Sequence, residues 1–176
     1  LVFDLGTGLR YCGDRVPATG PFQGNCLLTH MHWDHVQGLP FFVPTLRDGA
    51  QFNIYGPTQD DGRTVREVFE SIIKPPMFPV SVTSLPGKFE FHDVDDSDFV
   101  IGDLHIKSRL VPHVGKTLGF RVTHQSTSVT YISDHQMPTD GSMGITAGAR
   151  ELCQDADLLI HDAQYTTEEF AGKSDW

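Results

Sequence analysis

Short apolar runs bounded by glycine, proline or acidic residues recur along the chain and predict a protein rich in β-strands. A different pattern occurs at Val65, Val68, Phe69 and Ile72, whose i, i+3, i+4, i+7 spacing predicts an amphipathic helix that follows Asp60 and Asp61. Shorter helices are predicted after Trp33 and over residues 147–153 and 166–170. Strands are predicted over residues 1–5, 26–29, 51–55, 80–84, 88–92, 104–111, 117–123, 128–133 and 157–160.

The segments between these elements are predicted to be turns and ordered connections. Residues 10–25 contain five Gly or Pro residues and predict a loop with at most a short helical turn. The acidic tract 93–98 predicts a solvated turn, and the proline-rich segment 75–79 predicts a rigid connection or a lid. Phe41 and Phe42 are expected in the core or in a pocket wall. Strands with helices between them favour an α/β sandwich of two sheets flanked by helices.

Size and composition narrow the class of protein. A chain of 176 residues that is 39% hydrophobic is long enough for one core, so we predict a single domain over residues 1–176. No apolar run approaches the length of a membrane span. The formal net charge of −10 without a basic stripe argues against a long nucleic acid as partner. Three scattered cysteines and no visible signal peptide predict a cytoplasmic protein, and a homo-oligomer stays open.

The candidate chemistry is concentrated in one stretch that follows an apolar run. His30, His32, Asp34 and His35 place four potential metal ligands within six positions. Side chains alternate along an extended chain, so the first three project to one side, and a helix after Trp33 brings His35 round. The imidazole pair suits a tetrahedral ion of the zinc type, and the adjacent aspartate and histidine suit a second ion. Surface or core histidines are the simpler alternative, but this local excess favours a metal site.

The segment Thr29–His35 resembles the His-x-His-x-Asp-His signature of the metallo-β-lactamase-fold hydrolase superfamily. Phe3-Asp4-Leu5-Gly6-Thr7-Gly8 precedes it, and Tyr131-Ile132-Ser133-Asp134-His135 and Leu159-Ile160-His161-Asp162-Ala163 follow it, all in agreement with the family pattern. The resemblance covers nearly the whole chain and is greatest to the branch of ribonuclease Z and the cyclic phosphodiesterases. It implies the αββα architecture.

The resemblance also implies roles for further residues. His113 completes the first metal site with His30 and His32, and Asp134 bridges both metals. His161 is a proton donor to the leaving group and is counted with Asp134 as catalytic. Asp4 orients a ligand imidazole, although an ordinary strand-end cap is an equal alternative. His135 is expected to face away from Asp134, on the surface or behind the ligands.

The expected function is hydrolysis of a small phosphodiester with two divalent ions, zinc before manganese or iron. The sequence around His113 differs from the Thr-Pro-Gly-His-Thr context of related lactonases and thioesterases, so hydrolysis of a lactone or thioester is the alternative. A third alternative is a metal-binding protein without turnover. The family's closing histidine, in a Gly-His-Ser motif, is expected just after Asp175 and Trp176, so the chain is expected to lack that end and the first strands.

Overall fold

The structure, a computed structural model, describes residues 1–138 and 144–170. Within it the chain divides into two compact units, Leu1–Val94 and Asp95–Trp176. The prediction of a single domain stays a prediction. The expected closing segment after Trp176 adjoins residues outside the described part of the chain.

The first unit is built on a parallel sheet of four strands. Its order is β1-β2-β3-β4, with β1 at Val2–Phe3, β2 at Gln23–Leu27, β3 at Gln51–Gly56 and β4 at Lys88–Asp93. Phe3 is in register with Leu27, and Leu27 with Tyr55. Because the strands are parallel, the segments that leave their carboxyl ends emerge at one edge, as in other open α/β sheets. Asp4, which follows β1, and the histidine-rich stretch, which follows β2, both lie at that edge.

Three helices and three 3₁₀ turns complete this unit. The helices are α1 at Leu9–Gly13, α2 at Trp33–Val36 and α3 at Val65–Ile72, and the 3₁₀ turns are Leu39–Phe41, Val43–Leu46 and Val82–Ser84. α3 starts with a capping box in which the Thr64 hydroxyl accepts from the Glu67 N–H and the Glu67 carboxylate accepts from the Thr64 N–H. This box, rather than Asp60 and Asp61, supplies the acidic group at the helix start.

The core of the first unit lies beneath the strands and the ligand stretch. Its largest buried side chains include Phe42, Phe52, Phe69, Leu5, Leu28, Leu39 and Ile54. The backbone packs tightly beside it, since a Cβ on Gly38 would lie 2.1 Å from the Gly6 carbonyl oxygen and one on Gly6 would lie 2.6 Å from the Asp34 carbonyl oxygen. Glycine is therefore required where the turn after β1 meets α2.

The second unit contains a sheet of five strands. Its order is β5-β6-β7-β8-β9, antiparallel except for the parallel pair β8 and β9. The bounds are Ser97–Ile101, Leu104–Leu110, Leu118–His124, Thr127–Ile132 and Leu158–His161. Helix α4, Ala147–Cys153, buries Ala149 and Leu152 against Val111 and Ile132, and α5 is Thr167–Phe170.

Two sequence predictions were wrong. Residues 80–84 contain a 3₁₀ turn rather than a strand. The acidic tract 93–98 includes the start of β5, which the prediction missed because its apolar run, Phe99 to Ile101, has only three residues and follows the acidic tract directly. Pairing with β6 makes this segment a strand, since Phe99 lies opposite Ile106 and Ser97 opposite Ser108. None of the helices within the described residues combines the length and hydropathy that crossing a membrane requires.

Candidate functional site

The predicted ligands of the first unit lie on the segment that leaves β2. Leu28, Thr29 and His30 are buried, the last only 2% exposed, whereas His32 and Asp34 are exposed. His32 keeps an extended backbone as the residue before α2, and the helix then carries Asp34 and His35. The His30 Nε2 and His32 Nδ1 atoms are 2.9 Å apart, and the His30 and His35 ring centroids are 4.1 Å apart. The first unit therefore brings together the three histidines of this stretch, His30, His32 and His35.

A buried carboxylate fixes the hydrogen positions in this cluster. Asp4 Oδ1 accepts from the Thr29 N–H at 2.7 Å, and the Thr29 hydroxyl donates to the same carboxylate at 2.9 Å. Because that hydroxyl has only one hydrogen, its 3.0 Å contact with His30 Nδ1 requires the imidazole N–H to be the donor. The neutral His30 ring then carries its lone pair on Nε2, the atom that faces His32. A histidine that binds a metal through Nε2 needs this tautomer.

Asp4 acts in the same way on His35. Its Oδ2 lies 2.9 Å from His35 Nδ1, so this nitrogen donates and the neutral ring carries its lone pair on Nε2. His35 Nε2 in turn lies 3.3 Å from Asp34 Oδ2. A lone pair and a carboxylate oxygen at this distance repel unless a proton or a cation lies near both. The donor set of nitrogen and carboxylate oxygen atoms thus fits a divalent cation.

The predicted site residues of the second unit also lie at strand ends. β8 and β9 are parallel, and Ile132 is in register with His161, so Asp134 and His161 leave the sheet at the same edge. The Gln136 N–H donates to the Pro112 carbonyl oxygen at 2.9 Å, which ties this edge to the loop that carries His113. A cavity of about 170 Å³ results, lined by His113, Asp134, His135, Gln136, Asp162, Ala163, Gln164 and Tyr165.

His135 was placed wrongly by the sequence prediction. It lines the same cavity as Asp134, and its Nδ1 lies 2.9 Å from His161 Nε2. The alternation rule failed because β8 ends at Ile132, so the next residues no longer alternate across a sheet. Burial, and then the charge of His161, lower the pKa of His135. The signal available in the sequence was its place beside Asp134 at a strand end.

His161 is oriented by a backbone group. Its Nδ1 lies 2.7 Å from the Asp162 carbonyl oxygen, which can only accept, so Nδ1 carries hydrogen. Nε2 is then the atom that could exchange a proton, and it faces His135. Two histidines outside the predicted site differ from this pair: His124 pairs with Asp103 at 2.8 Å, and His92 stacks on Tyr55 with centroids 4.3 Å apart.

Comparison with known proteins places the chain in a family. The model of the beta-lactamase superfamily domain matches residues 24–175. Ribonuclease Z of Natronomonas pharaonis is 24% identical over 96% of this chain and 66% of its own, and ribonuclease Z of Pyrococcus abyssi is 26% identical over 99% and 68%. The solved structure of human tRNase Z, short form, gives a TM-score of 0.71 at 19% identity, covering 98% of this chain and 70% of that one.

These matches extend over most of this chain but only part of its relatives, since the chain spans about two thirds of the length of the two curated ribonucleases. The family match and the solved structures confirm the expected α/β fold of the αββα class, and the resemblance to the ribonuclease Z branch is confirmed as well. The chain belongs to the beta-lactamase superfamily, with the metallo-β-lactamase fold.

Proposed function

We propose that this chain is a hydrolase that uses divalent metal ions to cleave a small phosphodiester. The observation that carries the proposal is the buried chain of hydrogen bonds from Asp4 through Thr29 to His30, which sets the imidazole for metal binding before any ion arrives. A buried carboxylate that orients ligand histidines is the arrangement expected of a metal site.

The proposed ligands come from both units, and their grouping rests on family membership. His30, His32 and His113 are proposed to hold one ion, Asp34 and His35 a second, and Asp134 both. Zinc suits nitrogen and oxygen donors of this kind, with manganese and iron as the other candidates. Such ions lower the pKa of a bound water to about 7 and neutralise charge that develops on a phosphoryl group.

The residues of the chain supply the remaining steps. In hydrolysis the oxygen of water forms a bond to phosphorus and the bond from phosphorus to the leaving oxygen breaks. We propose that His161, protonated on both ring nitrogens, gives its Nε2 proton to that oxygen and afterwards takes up the proton that the attacking water loses, while Nδ1 stays bonded to the Asp162 carbonyl. His161 is exposed, and its neighbours His135 and Asp162 line the cavity, so a substrate oxygen can reach it.

The first test measures metal content per chain together with hydrolysis of bis-p-nitrophenyl phosphate on the same sample. We expect bound metal and turnover. Asp134→Ala should lose metal and activity together, whereas His161→Ala should keep the metal and lose turnover. Unchanged turnover in the His161 variant would remove the proton-donor role, and a protein without metal or turnover would favour the non-catalytic alternative.

The same sample decides between substrate classes. A lactone and a thioester test the alternative hydrolases of the superfamily, and a single-stranded RNA tests the activity named for the curated relatives. The acidic charge of the chain favours the small diester over RNA. Faster cleavage of RNA than of bis-p-nitrophenyl phosphate would reverse that preference.

We also propose a cytoplasmic location. Three free cysteines support it, and localisation of a tagged chain tests it.

A further inference from the structure

A large cleft in the first unit lies outside the ligand cluster. It is a cleft of about 930 Å³ between α1 and the two 3₁₀ turns that follow α2. Its volume is near the upper end of the range for small-molecule sites. Its lining includes Thr7, Gln37 and Gly38, which lie within three residues of Asp4 or His35 along the chain. None of the cleft residues has a part in the proposed hydrolysis.

The cleft presents apolar and aromatic surface to solvent. Tyr11, Phe41 and Val43 all line it and are 67%, 59% and 62% exposed. Single exposed apolar side chains are common on protein surfaces, but three in one concave site indicate a binding surface. The neighbouring Phe42, by contrast, is buried in the core with 1% exposure. The aromatic pair is therefore divided between core and cleft wall.

Two guanidinium groups line the same cleft. Arg10 lies 5.8 Å from the centre of the Tyr11 ring, and Arg47 donates to the Pro17 carbonyl oxygen at 2.6 Å. Within residues 1–138 and 144–170, neither arginine forms an ion pair with a carboxylate. Asp14 is the one acidic residue in the lining, so the cleft is locally basic although the chain carries a net charge of −10.

We propose that this cleft binds a small molecule that combines an anionic phosphate with a planar aromatic group, the chemistry of a nucleotide. The guanidinium groups of Arg10 and Arg47 can each bind a phosphate with two parallel hydrogen bonds. Tyr11 and Phe41 offer faces on which a base can stack. Two arginines that have no carboxylate partner among the described residues, placed in an aromatic cleft of an acidic chain, are complementary to an anion of this kind.

The test is calorimetric titration of AMP into the full chain in the presence of EDTA, so that metal ions contribute nothing to phosphate binding. We expect saturable binding that Arg10→Ala and Arg47→Ala each weaken about tenfold, the effect of losing one charge-assisted contact. Arg63→Ala removes the same charge from the exposed pair with Asp61, outside the cleft, and should leave the affinity unchanged.

Aromatic and phosphate recognition are separated with a second variant. Tyr11→Leu should weaken AMP binding several-fold and leave the affinity for inorganic phosphate unchanged, since only the nucleotide has a base to stack. Because Tyr11 is mostly exposed, this change should not unfold the protein. No AMP binding, or equal binding by the wild type and both arginine variants, overturns the proposal.

Kinetic measurements decide whether the bound nucleotide represents part of the substrate or a separate ligand. If AMP competes with bis-p-nitrophenyl phosphate, the cleft takes part of the substrate; if it changes turnover without competing, or binds without affecting it, the cleft takes a separate ligand. AMP binding without any hydrolysis would support the cleft and contradict the proposed function, so the two failures are distinct. If sedimentation shows that the arginine variants dissociate a dimer while AMP affinity is unchanged, a second copy occupies the cleft and the proposal fails.

Discussion

The two units hold their candidate histidines by different means. In the first unit, His30 and His35 are fixed through side chains to Asp4, which is only 7% exposed. In the second unit, His135 and His161 contact one another, and His161 is held by a backbone carbonyl at an exposed edge. Side-chain anchoring in the interior fixes both the position and the tautomer of a ring. The second arrangement leaves the rings able to exchange a proton and to respond to a substrate.

The largest effect is expected at the anchor itself. Asp4→Ala removes the acceptor for the Thr29 N–H, the Thr29 hydroxyl and His35 Nδ1, three hydrogen bonds to one carboxylate in the interior of the first unit. We expect a loss of about 3 kcal/mol in the free energy of unfolding. Metal affinity should fall about 10- to 100-fold. Chemical denaturation and metal titration measure the two effects.

Asp4→Asn is the matched control, because asparagine also tolerates the left-handed backbone of residue 4, where φ is +56°. It keeps one acceptor oxygen and should lose less stability than alanine. If both variants unfold at the denaturant concentration of the wild type, the carboxylate is not the anchor of this cluster, and the contrast between the units disappears.

The stability of the second unit should depend more on its apolar packing than on the residues of its candidate site. A Cβ on Gly119 would lie 2.7 Å from Leu152 Cδ1 and 3.0 Å from Ile132 Cγ1, so Gly119→Ala forces these two side chains to shift within a core where both are buried. We expect a loss of about 2 kcal/mol in the free energy of unfolding, typical of overpacking. Gly8→Ala, which meets no atom within 4 Å, is the control and should change the denaturation midpoint little. Equal midpoints for both variants would contradict the tight contact.

His135 tests whether contact between the two imidazoles matters to turnover. His135→Ala removes the neighbour of His161 Nε2, and we expect kcat to fall about tenfold, or about 1.4 kcal/mol, while KM and metal content stay as in the wild type. His135→Gln restores a polar partner and should recover part of the loss. His124→Ala removes a histidine of the same unit that pairs with Asp103 and should have no effect. A loss of metal in the alanine variant would instead make His135 part of the metal site.

Local pattern predicted most of the framework, and the failures occur where local pattern is least informative. The stretch that carries His30 to His35 was located from spacing alone. The direction of the buried strand and the positions of the histidines just after it are enough to place these side chains close together. β5 was missed because its apolar run, Phe99 to Ile101, is short and directly follows the acidic tract. The Gly102-Asp103 pair between β5 and β6 was nevertheless a readable hairpin signal, and Gly102 has a φ of +61°. The orientation of His135 depends on where β8 ends, and strand ends are poorly determined by composition.

The smallest effect is expected at the surface of the second unit, where Glu151 accepts from Arg109 and Lys107. Hydrogen bonds from Arg109 and then from Lys107 lower the pKa of Glu151 from 4.5 to about 2. Because the folded pKa lies below the ordinary value, the contribution to stability is complete above pH 4.5 and is lost as the pH falls towards 2. Glu151→Gln should therefore flatten the dependence of the unfolding free energy on pH within that window, measured by denaturation at a series of pH values. Since the carboxylate is exposed, added salt should produce much of the same flattening in the wild type. Asp4 carries no such salt sensitivity in our proposal, because Thr29 is buried and the His35 side chain is only 13% exposed. An equal response of the Asp4→Asn and wild-type proteins to salt would distinguish the interior anchor from the surface pair.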